Sequence, residues 1–295
     1  QQAWNSGALT VPYQLMTVIP EKTFLTTSTV KDQSGAAYYI EKAVKYPIST
    51  PMLNDWGISS ATPTLSNATL NSLPTGQAVA QIVKTPSDRY FVISNGKKIT
   101  ANKYGDTIAS RASSLPLTLD GIEGSEELSY LVSPTHTSDD MWLLINGERL
   151  PLSFEQRVAF GYLSNSIKPT KLSSSALDTF PTSSAAFNSL IQKSGSGVKF
   201  LNFGHSLGFP DSPTLIAHVN SSRPILQVNA SVFDSIQLRG DISRVIYDDA
   251  GRYWWIENGH KRYITSWDAY YRLGYPKVSP KYLYGTTMNL IPTSD

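Results

Sequence analysis

The chain has 295 residues, of which 40% are hydrophobic and only 16% charged, with a formal net charge of +2. Small, mixed charge without any Lys/Arg run excludes a basic nucleic-acid stripe, and no apolar stretch reaches the length of a bilayer-spanning helix. The absence of cysteine excludes disulfides, thiolate metal sites and cysteine nucleophiles. Gln1-Gln2-Ala3-Trp4 lacks the basic start and apolar run of a signal peptide, so the sequence reads as a mature exported chain or a piece of a longer one.

Taken in order, Tyr13, Met16 and Ile19-Pro20 look like the tail of a preceding unit. Ala37-Tyr38-Tyr39-Ile40 and Val44–Ile48 form a first, degenerate hairpin. A short helix follows over residues 50–57 with Pro51 at its first turn, then a closing phrase, Leu65-Ser66 … Leu70 … Leu73-Pro74-Thr75-Gly76. Next, Val79–Thr85 reads as a strand, and Tyr90–Ser94 pairs with Lys97–Thr100 across Asn95-Gly96. Asn-Gly between β-rich runs is a strong hairpin signal, because a type I′ turn needs positive φ at both central residues.

The pattern returns at Ser129–Pro134, then Trp142–Ile145 and Glu148–Leu152 around Asn146-Gly147. A helix capped by Ser153 and stopped at Gly161 follows, with the close Leu172-Ser173 … Phe180-Pro181-Thr182. The fourth copy, Ser189–Lys193 and Val198–Asn202, departs most: it carries Asn202-Phe203-Gly204-His205 instead of Asn-Gly, which puts equivalent function there in doubt. Its close is Val228-Asn229 … Phe233 … Ile236. In the fifth, Arg244–Asp248 precedes Tyr253–Glu257 and His260–Thr265 around Asn258-Gly259. A helix from Ser266 to Gly274 and the close Val278-Ser279 … Leu290-Ile291-Pro292-Thr293 complete it. Each close reads as a helical turn capped by Ser or Asn and stopped by Pro.

The Asn-Gly turns at 95, 146 and 258 lie 51 and 112 residues apart, and the closing prolines at 20, 74, 181 and 292 lie 54, 107 and 111 apart. One period of about 54 residues explains both series, which is the mark of a repeat architecture. The predicted fold is a β-rich repeat protein with short helices, made of five three-stranded meander units. Residues 1–22 form an N-terminal segment, and the repeats run 23–76, 77–128, 129–184, 185–240 and 241–295. A small sheet with one helix cannot bury its apolar face alone, so the units must pack on each other. A propeller-like ring or an open stacked array both achieve this. The ring is slightly favoured, because strand edges need cover.

The phrase aromatic-x-Ile-x-Asn-Gly-x-Lys/Arg-x-Ile, followed by a helix ending in Leu-Gly and a Leu-x-x-Leu/Ile-Pro close, resembles tandem repeats of secreted bacterial cell-surface and cell-wall-associated proteins. The resemblance covers about residues 23–295 and is clearest at 252–292. It implies a non-catalytic extracellular module at the cell surface. Leu207-Gly208-Phe209-Pro210 also matches the core of a short wall-associated repeat motif.

No catalytic constellation stands out, so no enzyme activity is expected. His136, His205, His218 and His260 share no metal-ligand spacing, and neither a metal nor a cofactor is expected. Asp139-Asp140 and Asp248-Asp249 suit turns better than a Ca²⁺ loop. Three glycosylation sequons, at Asn67, Asn220 and Asn229, matter only in a eukaryotic secretory host. The candidate ligand residues are hairpin aromatics, Tyr90, Trp142, Tyr253, Trp254 and Trp255, with the cations Lys98, Arg149 and Arg262 across the turn. A sugar face would stack on such rings while polar neighbours bind its hydroxyls, although packing between units is the commoner use of such rings. Trp254 and Trp255 must face opposite ways, because strand side chains alternate. The leading expectation is a module binding cell-wall or host glycans. The alternative is a structural or assembly component of a surface adhesin, surface layer or appendage, with neighbouring surface-protein chains as partners. A hydrolase comes third.

Overall fold

Five hairpins share one turn geometry, in which both central residues lie in the left-handed region: Lys42 and Ala43 (φ 52° and 58°), Asn95 and Gly96 (51°, 75°), Asn146 and Gly147 (48°, 77°), Phe203 and Gly204 (49°, 83°), and Asn258 and Gly259 (48°, 73°). The fourth copy therefore keeps the turn that its sequence conceals. Phe203 takes the place of Asn, and its ring stacks on Tyr284 with centroids 4.0 Å apart. This contact offsets part of the cost of a non-glycine residue at positive φ. The computed structural model describes residues 28–135, 140–163, 167–221, 223–274 and 279–294. The Tyr13–Pro20 phrase, His136, Asp139, Ser222 and Val278 lie outside them.

Each hairpin belongs to a small sheet of its own, and there are five such sheets among the described residues. In the fifth, Val245–Tyr247 runs antiparallel to Tyr253–Glu257, which pairs in turn with His260–Tyr263. The helix Trp267–Arg272 follows, with Ser266 capping the Ala269 amide. The chain then returns as Lys281–Tyr282, parallel to Val245–Tyr247. After the helix Gly285–Met288 it bridges Lys261 through Thr293, again in parallel. Sheets two, three and four repeat this order: return strand, first strand, hairpin, tail. In the fourth the tail is a full strand, Leu238–Asp241. In the second it is Glu123–Glu127. The first sheet holds only the meander Thr29–Lys31, Ala37–Glu41 and Val44–Ile48, with single parallel bridges at Thr64 and Thr75 standing where the return strand and tail would be.

The closing phrases thus do more than form a helical turn. Ser66, Ser173 and Asn229 do precede short helices as expected, but the segments around those helices cover both edges of the sheet. The fifth close differs from its expected form: its helix starts after Tyr284, and Ser279 leads instead into the return strand. Edge cover, the reason for favouring a ring, is met here inside each unit.

Alternate side chains of a strand serve different neighbours. In the second sheet Val83, Phe91 and Ile93 join Tyr39 and Trp56 of the first, while Ile82, Val92 and Ile99 join the core of the third and fourth. In the fourth sheet Leu190, Phe200 and Leu207 pack with Ile246 and Ile256 of the fifth. Strands covered on both faces read as near-continuous apolar runs, which is why Phe91-Val92-Ile93 shows no alternation. None of the four apolar clusters among the described residues combines the first sheet with the fifth.

The hairpin turns also join sheet to sheet. The Gly96, Gly204 and Gly259 amides donate to the carbonyls of Asp55, Ala159 and Ala217, at 2.9, 2.9 and 2.8 Å. Each of these carbonyls closes the helical stretch that follows the preceding hairpin. At the second junction Arg111 donates to the Gly147 carbonyl, and a methyl group on Gly147 would collide with the carbonyl oxygen of Thr107. Gly251 has a similar φ of 69° but open space around it. Gly251→Ala is therefore expected to cost about 1–2 kcal/mol, and Gly147→Ala roughly 1–3 kcal/mol more. Urea unfolding midpoints at unchanged slope would measure the difference.

Candidate interaction surface

The repeated cation after each turn has a local role. Lys45 donates its Nζ to the Leu70 carbonyl at 2.6 Å, and Lys261 donates to the Met288 carbonyl at 2.6 Å. Both carbonyls lie in the short closing helices, whose C-terminal ends attract positive charge. Arg149 pairs with Asp178 at 3.0 Å in the third closing helix. Lys98 reaches the Leu119 carbonyl at 2.7 Å, where the second unit has no such helix. The fourth unit has Ser206 at this position, and Lys199 from the opposite hairpin strand caps the Phe233 and Ile236 carbonyls instead, both at 2.8 Å. Two of the three candidate cations, Lys98 and Arg149, thus fasten the closing segment. In the fifth unit that residue is Lys261, while the candidate Arg262 points to solvent.

The candidate aromatics are distributed over three sheets and do not converge on one site. Tyr90 lies beside Lys84, 5.6 Å from its ring centroid, and against Gly105. Trp142 lies under Arg149 at 5.8 Å and packs on the large core. Trp254 and Trp255 do lie on opposite faces, the first against the core shared with the fourth sheet and the second on the far side. Trp254 is held by Lys261 and Arg252 over its ring (5.5 and 5.6 Å), and its indole donates to Asp248 at 3.2 Å. Trp255 has Arg244 over its ring at 4.3 Å.

Asp248 accounts for the turn-like character of its acidic pair. Its carboxylate accepts from the Ala250 and Arg252 amides, the Arg252 guanidinium and Trp254. Burial alone would raise its pKa, but these donors outweigh that and hold it below the usual carboxylate range. Among the described residues no group of three or more His, Asp or Glu side chains converges as a metal site. Leu207-Gly208-Phe209-Pro210 is used internally: Leu207 and Gly208 end a hairpin strand, and Phe209 meets the ring of His218.

The surface that remains is the outer face of the fifth sheet. Trp267, Tyr271 and Tyr263 are 62%, 58% and 52% exposed. Trp267 and Tyr263 border a cleft of about 310 Å³ whose walls include Tyr253, Ser266 and Tyr270. Rings run continuously from Tyr271 through Trp267, Tyr253, Tyr247, Tyr282 and Tyr284 to Phe203, with successive centroids 4.0 to 6.5 Å apart. Of the candidate residues only Tyr253 belongs to this face as a cleft wall. Trp267 and Tyr271 were missed, yet a signal existed. Positions 267, 270 and 271 share one helical stripe, and a helix this short needs fewer than three aromatics to cover its own sheet.

One buried pair meets no carboxylate among the described residues. His218 is enclosed between the rings of Phe200 and Phe209, with Nε2 against the Ser243 carbonyl at 3.0 Å. Arg223 donates to the His218 carbonyl at 3.0 Å and to Ser189 at 2.9 Å. Burial, and then the Arg223 charge, push the His218 imidazole down to about 3.

No protein-family model matches the chain, and no curated protein matches it. Solved structures that align with it include the periplasmic assembly from the ESX-5 inner membrane complex (12% identity, 94% of each chain, TM-score 0.19). Others are an intact ESX-5 inner membrane complex (11% identity, 95% of this chain and 82% of that one, TM-score 0.17) and the EccB3 dimer from the ESX-3 core complex (11% identity, 91% and 97%, TM-score 0.20). At such scores the alignments span the chain without a superposable arrangement, and they assign no function.

Two outcomes are expected. Lys261→Met should destabilise by about 1.5–3 kcal/mol, since it leaves a buried carbonyl without its charged donor, whereas Arg262→Met should stay within about 0.5 kcal/mol; urea titrations separate them. For His218, the folded pKa lies below the unfolded value of about 6.5. Its stabilising effect is complete above that pH and is lost as pH falls toward 3. Between pH 7 and 5 the wild type should lose about 2 kcal/mol that His218→Gln does not lose, as read from unfolding free energies at the two pH values.

Proposed function

We propose that the chain is a non-catalytic structural module of a bacterial surface or envelope, built of repeated hairpin units and made to assemble with other protein chains. One observation carries this reading. The conspicuous hairpin aromatics and cations Trp142, Trp254, Lys98 and Arg149 are engaged in packing and in fastening the close of their own units, while a cluster of three exposed rings, Tyr263, Trp267 and Tyr271, lies on the fifth unit. A lectin built from repeats would be expected to present similar sites on several units, with avidity arising from their spacing. Here Trp142 and Trp254 serve packing, and the exposed rings gather on the fifth unit as Tyr263, Trp267 and Tyr271, with Phe154 exposed singly on the third. The clusters that link sheets in chain order, with none combining the first and the fifth, favour an open array over a ring. The surface location rests on the repeat phrase and the low-charge, cysteine-free composition.

The deciding experiment is a pull-down on insoluble peptidoglycan together with a glycan array, using the wild type and Tyr253→Ala. Absence of saturable sugar binding is expected, with Trp254→Ala lowering Tm. Saturable binding that is lost in a folded Tyr253→Ala variant would replace this reading with that of a glycan-binding module.

A further inference from the structure

Helical stretches follow the five hairpins and open at Ser49, Ala101, Ser153, Asp211 and Ser266. The sixth residue past each opening is Asp55, Thr107, Ala159, Ala217 and Arg272. The first four are the positions that meet the next hairpin: Asp55, Ala159 and Ala217 accept from the turn glycine, and the Thr107 carbonyl abuts Gly147. The fifth, Arg272, closes the last helix, and among the described residues no hairpin turn lies on it. At the other end the first turn, Lys42-Ala43, has the same left-handed geometry as the docked turns but is exposed. Among the described residues, the first turn and the last helix thus each present one half of the same junction without its counterpart.

The flanking residues fit. The helix end of the last unit carries Gly274 at φ 96°, two residues past Arg272, and that of the first junction carries Gly57 at φ 75°, two past Asp55. There a methyl group on Gly96 would meet only the Gly57 Cα, at 3.6 Å. A turn with alanine in second place, as at Ala43, is therefore compatible with a glycine-ended helix of this kind. The fifth position past the opening is exposed in four units, as Asn54, Asp106, Ile216 and Tyr271, whereas in the third unit Val158 is buried on a helix packed against Gly285–Met288.

We infer that the outer face of the fifth unit, centred on the Arg272 carbonyl and bordered by Trp267 and Tyr271, receives the Lys42-Ala43 hairpin of a second copy of this chain, continuing the array head to tail. The contact is heterologous, so it extends into a filament or closes only if the rotation between copies allows. This inference rests on the assembly reading above and names the partner.

The native chain lacks cysteine, which makes cross-linking clean. Differently tagged Lys42→Cys and Arg272→Cys variants of the full chain are mixed and mildly oxidised, and the wild type is followed by sedimentation velocity over a concentration series. Mixed disulfide dimers should dominate over like-with-like pairs. Association should rise with concentration, tighten in Ala43→Gly, which removes the Cβ at the second turn position, and be lost in Tyr271→Asp, a change at an exposed position that leaves the fold intact. Like-with-like cross-links alone, or a monomer at every concentration, overturn the inference. Neither result bears on the sugar-binding assay, which alone decides the assembly reading.

Discussion

A left-handed hairpin turn seated on the end of the preceding helix is the constraint from which the rest of this structure follows. The turn fixes the register of its two strands, and its second amide, turned outward, needs an acceptor. The helix before it ends with carbonyls that have no partner of their own. One hydrogen bond satisfies both, as at Gly96 on Asp55, Gly204 on Ala159 and Gly259 on Ala217. It also fixes the distance between successive sheets, so that their side chains interleave. Gly147 shows how close the approach becomes, with no room for a methyl group before the Thr107 carbonyl.

With that spacing set, each inner sheet is covered on both faces and at both edges. The faces are filled by alternate residues of one strand, as with Val92 and Phe91. The edges are closed by the return strand and tail, and in the first, third and fifth units the tail stays in place because a cation two residues past the turn holds the short helix before it. Lys45 and Lys261 do this through backbone carbonyls, and Arg149 does it through Asp178. The motif Asn-Gly-x-Lys/Arg is therefore one mechanical element: the dipeptide seats on the unit before, and the cation fastens the unit's own close.

Much of this was legible in the sequence because it is local. Asn-Gly specifies the turn through backbone sterics alone, so the strands Tyr90–Ser94 and Lys97–Thr100 appear where they were expected. Ser153 as a cap is equally local, and its box with Gln156 is formed. What was hidden depends on contacts distant in sequence. The parallel edge strands are too short to carry a pattern: Ser113–Ser114 and Lys281–Tyr282 are two residues each. The turn at Phe203 relies on a ring eighty-one positions away, Tyr284. The cations read as ligand contacts for the same reason, since nothing near Lys98 in sequence announces the Leu119 carbonyl. The exposed rings of Trp267 and Tyr271 were the part of the surface that helical spacing could have revealed.

The most direct measurement is amide hydrogen exchange at single-residue resolution on the turn glycines. The Gly96, Gly204 and Gly259 amides should be protected to the level of the neighbouring strand interiors, because opening any of them requires two sheets to separate. Ala43, in the same backbone conformation but undocked, should exchange far faster under conditions that keep the chain monomeric. Equal, fast exchange at all four would show that the turns are not seated on the preceding helices, and would contradict the account of how the units are joined.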